Sequence, residues 1–414
     1  MIRTRAGLAT LVAALTVLVA ACGGAASAPV SEANGKPIVI GLDNDTSGPS
    51  SPYSTLALAA IQVAVDQINK GGGVVNNRPF KLVQESDGGQ PSQAPTIVQH
   101  LIQQGAVAVI MNSGSASMLQ VKPLLSQSKV PGMAPLNTNP NIPLAPNNEF
   151  AFSASATQAD LDSVITGGMK KMGVKKPALV YDDTATVAGL IPGTTKDYQD
   201  AGIPFVDTEK VPANATDVSA QMARLNGKGA DAVFLLTLGG PIDSVVLNGL
   251  YDVAPKILKF SGQQLCGEAS NKLAKAEALN GTYCAGQITL NNPRTKTADQ
   301  NLKNALGSSY QGMGTYYAQG YEAAYLFAKA IQLGGNPDDP ASIKAGLEKV
   351  SKLPAYWGGP NFTLSYSATK HNGSDGLCAY EIDVYKGNVL GGPWKDYQPC
   401  LLYTSDAADD LTRV

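Results

Sequence analysis

Apolar positions along residues 37–261 alternate between two periods, and the alternation predicts strand after helix after strand. Residues 37–42 form an apolar strand, followed by a polar loop from Asp43 to Tyr53. Over 55–69, Leu56, Ala60, Val63 and Ala64 share one face, with Ile61, Val65 and Ile68 beside them, the spacing of a helix buried along one side. Gly71-Gly72-Gly73 ends it. A strand over 80–85 and a helix over 93–103 come next. Residues 106–111 are apolar throughout, as a strand covered on both faces should be. Asn112-Ser113-Gly114-Ser115-Ala116-Ser117 is small and rich in hydroxyls, and Met118, Val121, Leu124 and Leu125 then mark a helix. A short strand over 130–134 runs into Pro135-Leu136-Asn137-Thr138-Asn139.

A second series begins after the link 149–154. Helix 157–171 leads to strand 177–181, and Asp182-Asp183-Thr184-Ala185-Thr186 precedes another helix. Ile203-Pro204-Phe205 opens the next strand; helix 217–227, strand 232–236, helix 242–251 and strand 257–261 follow. Residues 287–290 read as a return crossing, and helix 316–333 resumes the first unit. After Trp357 the pattern changes to short strands at 362–364 and 378–384. The order predicts two parallel sheets in tandem, each with helices on both faces.

In such sheets ligands sit beyond the carboxyl ends of the strands. The N–H groups at a helix start favour an anion, and Ser115 and Thr138 add hydroxyls from two neighbouring strands. This predicts a site for a carboxylate or similar polar group, against the plainer alternative of ordinary Ser- and Gly-rich turns.

A length of 414 suggests about two or three domains, and 44% hydrophobic residues allow sizeable cores. A net charge of −2 gives no electrostatic reason to expect nucleic acid. The two histidines, His100 and His371, lie far apart without metal-ligand spacing and are expected at the surface. Glu85 and Asp87 are expected to end a strand on a solvated edge rather than to act as paired carboxylates. The chain carries no Gly-x-Ser-x-Gly elbow, Walker loop or metal cluster, so neither an enzyme nor a metal or cofactor site is expected.

Arg3 and Arg5 precede an apolar stretch over 8–21, an export signal rather than a spanning helix. Val19-Ala20-Ala21-Cys22 resembles the bacterial lipoprotein lipobox, which implies lipidation of Cys22 and a chain held at the outer face of the cytoplasmic membrane, or a periplasmic one. Residues 23–36 form a flexible tether. Export permits disulfides. Cys266, Cys284, Cys378 and Cys400 allow three pairings; Cys266 with Cys284, closing a short loop around one helix, is favoured. One back-translation of residues 400–409, TGT CTC TTA TAC ACA TCT GAC GCT GCC GAC, matches a transposase sequencing adapter. On that reading 400–414 is a non-native tail and Cys378 is free or paired beyond the break; otherwise Cys378–Cys400 is a second disulfide.

Several segments keep a shared order and approximate spacing: Ile38-Val39-Ile40-Gly41, Ser47-Gly48-Pro49, Ala64-Val65-Asp66-Gln67-Ile68-Asn69 with Gly71-Gly72-Gly73, Gly105 to Ile110, Val130-Pro131 with Pro135, Asp217 to Gln221, and Gly229 to Phe234. Through them residues 37–395 resemble type I periplasmic binding proteins, in the branch of leucine/isoleucine/valine-binding proteins of ABC transporters. The resemblance implies an α/β fold of two doubly wound parallel-sheet lobes joined by three hinge crossings. Lobe 1 would comprise 37–152 and 290–356; lobe 2, 153–289 and 357–399. It also implies a monomer that holds a small-molecule ligand between its lobes and delivers it to an ABC permease, or reports it to a receptor.

By the same resemblance, Ser115 and Thr138 would bind a ligand carboxylate, Leu136 would give a backbone contact beside the threonine, and Tyr53 would place a ring over the ligand. Tyr316 matches an aromatic lining position. The second lobe departs from the family pattern. Thr186 or Val187 stands near one usual tyrosine and Leu238 near another, and Gln264 replaces the acid that pairs with an ammonium. A buried ammonium needs an anion or several acceptors. Asp182 or Asp183 could serve if their loop turns into the cleft; otherwise the ligand lacks an ammonium.

Overall fold

A computed structural model describes residues 32–266, 273–376, 379–397 and 399. Cys22, Cys378, Cys400 and residues 401–414 lie outside these, so the expectations for lipidation, the second disulfide and the tail fall on undescribed chain. Among the described residues no helix is long and apolar enough to cross a membrane.

In chain order the first series is β1 (Ile38–Asn44), α1 (Ser51–Lys70), β2 (Phe80–Glu85), α2 (Ala94–Gln103), β3 (Ala108–Asn112), α3 (Ser115–Ser128), β4 (Gly132–Ala134) and β5 (Ala151–Ser153). The strands form one parallel sheet in the order β2-β1-β3-β4-β5. Every residue of β3 is buried, as its unbroken apolar run requires. α1 starts four residues before the apolar periodicity does, because Pro52 sits in its first turn, where a missing N–H costs nothing.

The second series is α4 (Gln158–Lys171), β6 (Pro177–Asp182), α5 (Ala185–Ala188), α6 (Ile191–Asp200), β7 (Asp207–Val211), α7 (Ser219–Gly227), β8 (Ala232–Leu236), α8 (Pro241–Val253), β9 (Leu258–Ser261), α9 (Ala276–Leu279) and β10 (Thr282–Gly286). Then come α10 (Pro293–Leu306), α11 (Thr315–Gly334), α12 (Pro340–Leu347), β11 (Leu353–Pro354), β12 (Thr363–Leu364), β13 (Glu381–Lys386) and β14 (Val389–Pro393). The second sheet runs β14-β13-β10-β9-β8-β6-β7, parallel through β6–β10 and antiparallel at β13 and β14. Helices α10 to α12 return to the first lobe. There α11 approaches α1 so closely that a Cβ on Gly320 would sit 2.5 Å from the Ala57 carbonyl oxygen.

Four local expectations are corrected. The strand expected at 203–205 is β7, which begins at Asp207. Pro204 has no N–H for a ladder, and Phe205 instead stacks on Tyr198 at 4.1 Å. Strand β10, inside the sheet between β13 and β9, the edge strand β14 and the polar helix α10, which buries only Thr295, Ala298 and Leu302, lacked a periodic signal. The chain does not rejoin the second lobe at 357: β11 and β12 pair with each other, Tyr366 N donates to Val350 O, and Ser153 N donates to His371 O. His371 is buried rather than at the surface. Its ring stacks on Phe152 at 4.1 Å, with Nδ1 2.7 Å from Asn148 O and Nε2 3.2 Å from Glu348 Oε1. His100 is half-exposed, 3.5 Å from Glu85. Asp87 is not on a solvated edge; it is buried and accepts from Ser117 Oγ at 2.5 Å and Gly89 N at 2.9 Å.

Three passages join the lobes: after β5, after β10, and between Asn372 and β13. Where the first two meet α11, amides and hydroxyls interlock in the buried interior. Gln287 Oε1 accepts from Ala156 N at 2.9 Å, Gln319 Nε2 at 3.0 Å and Ser155 Oγ at 3.2 Å. Gln287 Nε2 donates to Gln263 Oε1 at 2.6 Å. Cys266 and Cys284 are joined by a disulfide, with their Cα atoms 5.5 Å apart, around the segment that carries α9.

Candidate functional site: the cleft between the lobes

The first-lobe wall is built on α3 and the loop after β4. Of three alternate serines at the start of α3, two turn back into the lobe. Ser113 Oγ donates to Asp43 at 3.1 Å and Ser117 Oγ to Asp87 at 2.5 Å, while Ser115 lines the cleft. Thr138 O accepts from Gln158 N at 2.7 Å, and its hydroxyl lies 3.4 Å from Gln158 Oε1, so it is only loosely held. Leu136 packs with Tyr53 and Ala57, against Leu238 of the other lobe. Tyr53 and Tyr316 stack with ring centroids 5.0 Å apart, and burial pushes both phenols well up, so both stay neutral.

Behind this wall Asp43, Asp45 and Asp87 are buried together. Burial first, then the Asp87 charge, raises the Asp43 carboxyl to about 8. Asp45 gathers the turn that starts α1, accepting from Gly48 N at 2.6 Å and Ser50 N at 2.8 Å.

The second-lobe wall presents Thr186, Val187, Leu190, Leu238 and Gln264. Thr184 caps α5 and is itself held by Asp182, which fixes Thr186 towards the cleft. Ala116 N of α3 donates to Thr186 Oγ1 at 3.3 Å, so the lobes touch. A Cβ on Gly114 would meet that hydroxyl at 2.4 Å, so only glycine permits this approach. Gln264 Nε2 is spent on Leu235 O at 3.1 Å and Ser261 Oγ at 2.9 Å.

The structure gathers Tyr53, Ser115, Leu136, Thr138, Leu238, Gln264 and Tyr316 around one cleft. It does not bring in Asp183, which is exposed and accepts from Ala213 N at 2.9 Å, because the turn after β6 points it towards the loop after β7. Asp182 is buried and committed to Thr184 and to Leu238 N at 2.6 Å. Gln158 and Gln263 also line the cleft; their only sequence signal was proximity to the first crossing and to Gln264. The cavity in the cleft is about 60 Å³, and its described lining residues carry no charged side chain.

Comparison with known proteins agrees with this architecture. "Leu/Ile/Val-binding protein homolog 3" of Brucella melitensis is 24% identical over 86% of this chain and 93% of its own. The leucine-, isoleucine-, valine-, threonine- and alanine-binding protein of Pseudomonas aeruginosa is 23% identical over 75% of this chain and 82% of its own. Among solved structures, the branched-chain amino acid transporter substrate-binding protein LivJ of Streptococcus pneumoniae, in complex with isoleucine, superposes with a TM-score of 0.74 at 20% identity, covering 86% of this chain and 98% of LivJ. Residues 37–388 match the family described as periplasmic binding protein, and the chain belongs to that family.

Proposed function

We propose that the protein captures a small polar solute, an amino acid or a related carboxylate or amide, and delivers it to an ABC permease. The family is one of binding proteins, not enzymes. One observation carries the reading: hydroxyls of the first lobe, Ser115 and Thr138, and side chains of the second, Thr186, Leu238 and Gln264, line a single cavity. A ligand touching both walls stabilises the closed form in proportion to its extra contacts there. The ligands named for the relatives, branched-chain amino acids among them, support the solute class.

In this proposal the polar end of the solute meets Ser115, Thr138 and the start of α3, Tyr53 and Tyr316 pack against its body, and Leu238 and Gln264 close over it. Cys22 carries the lipid that keeps the protein beside its permease. Thermal melting against a panel of amino acids, short acids and amides tests the capture step. A ligand at 100 times its Kd should add about 2.7 kcal/mol of stability; a panel without any shift sinks the reading. Partition of the Cys22→Ala variant into the aqueous phase of a detergent extraction, with wild type in the detergent phase, tests the anchor.

A further inference from the structure

The cleft cavity of about 60 Å³ is a poor fit to a solute: small-molecule sites usually run to about 300–1,000 Å³. A chamber of about 450 Å³ adjoins it, and Tyr53, Leu238, Gln263, Gln264 and Tyr316 line both spaces. The chamber lies between the start of α1, residues 311–314 with the first turn of α11, and the β13–β14 hairpin. Leu56, Met313, Tyr317 and Leu390 make its walls apolar and aromatic, and Gln311 and Asn388 add neutral amides. Among the described residues no charged side chain lines either space.

We propose that this chamber holds the body of the ligand, and that the ligand is a carboxylic acid or its amide with no free ammonium and an uncharged aromatic or branched aliphatic body. The proposal rests on the cleft being the solute site. Size assigns the body to the chamber, since of the two adjoining spaces the chamber is the one that matches a ligand's volume. The described lining offers an ammonium no anion, and a buried cation needs a paired one. Among the described residues the nearby acids do not supply one. Asp182 is tied to Thr184 and Leu238, Asp183 faces away, and Asp43 and Asp87 are turned behind the first-lobe wall. Gln264 offers a carbonyl oxygen but no charge. A head group needing only N–H and hydroxyl donors suits Ser115 and Thr138, and a flat or branched body suits the stacked tyrosines.

Calorimetric titration of the whole protein with matched pairs tests this: 3-phenylpropionate against L-phenylalanine, 4-methylpentanoate against L-leucine, with 3-phenylpropanamide alongside. The ammonium-free member of each pair is expected to bind at least about tenfold more tightly. Equal or tighter binding of the amino acids overturns the ligand class while leaving solute capture intact, and no binding by any of these probes overturns it too. Val389→Glu, on the exposed rim, and Met313→Glu, in the wall, should each weaken 3-phenylpropionate about tenfold without moving the melting temperature of the free protein. Unchanged affinity in both removes the body from the chamber. Solute capture at the cleft fails on a different result: a Ser115→Ala, Thr138→Ala double variant that binds the successful probe as wild type does.

Discussion

On the first-lobe wall Ser115 and Thr138 turn hydroxyls into the cleft, backed by serines and acids that satisfy one another out of reach. On the second-lobe wall the polar groups are largely spoken for. Asp182 serves Thr184 and Leu238 N, Gln264 serves Leu235 O and Ser261, and Leu238, Val187 and Leu190 present hydrocarbon. On the proposed function the difference would divide the labour. The first lobe would recognise a polar head by itself. The second would come down as a neutral cover, so that closing strips little water from charge and is governed by shape and apolar contact.

The strongest way to break this division is to charge the cover. Leu238→Asp places a carboxylate against Tyr53 and Leu136 in the closed cleft, where an unpaired charge costs about 3–5 kcal/mol. Ligand affinity should collapse and small-angle scattering should show an open molecule; a closed, tightly binding variant would mean that the cover tolerates charge.

The acids behind the first wall offer a second lever. Asp43, raised to about 8 by burial and by Asp87, holds its proton in the folded protein but loses it at ordinary carboxylate pH when unfolded. Its native form therefore binds the extra proton, and stability falls as pH rises from about 4 through about 8. Asp43→Asn should be more stable than wild type by about 2–3 kcal/mol near pH 9, with the advantage gone near pH 4. Chemical denaturation at the two pH values decides it: an equal difference at both would deny the acid its buried proton.

Ser115→Ala and Thr138→Ala should each cost about 1–3 kcal/mol of ligand binding while leaving the melting temperature of the free protein in place. If only one does, the head group is held by a single hydroxyl. The smallest effect belongs to the contact between the walls. Thr186→Val deprives Ala116 N of its acceptor, and the ligand-free closed population should drop by about 0.5–1.5 kcal/mol. Interlobe distance measurements with spin labels would show the drop, and an unchanged distribution would mean that Thr186 only fills space.

The sequence was most legible where burial is complete. β3 announces itself because all five residues are buried and the first four are apolar, and the α1 and α11 periodicities follow from packing against each other. Position along the chain hid the rest. Nothing local marks Phe205 as packing on Tyr198, or His371 as lying between Phe152 and Glu348, since both partners come from elsewhere. Ser115 and Thr138 could be picked out because strand ends and helix starts constrain where hydroxyls point. Ser113 and Ser117 look identical to Ser115 in sequence, and only the placement of Asp43 and Asp87 separates them. Asp183 failed as a candidate for the same reason: one residue beyond Asp182, the turn carries it to the other side.

The joint between the lobes has one more consequence. Gln287, Gln319, Gln263 and Ser155 each carry both a donor and an acceptor. Such groups are ambidextrous: after a rotation each can exchange one neighbour for another without stranding a charge. No ion takes part in these contacts, so there is no Coulomb force for dissolved salt to screen. The balance between open and shut should then be the same in dilute and in saline surroundings, and the molecule would work as well in a medium whose salt it cannot regulate.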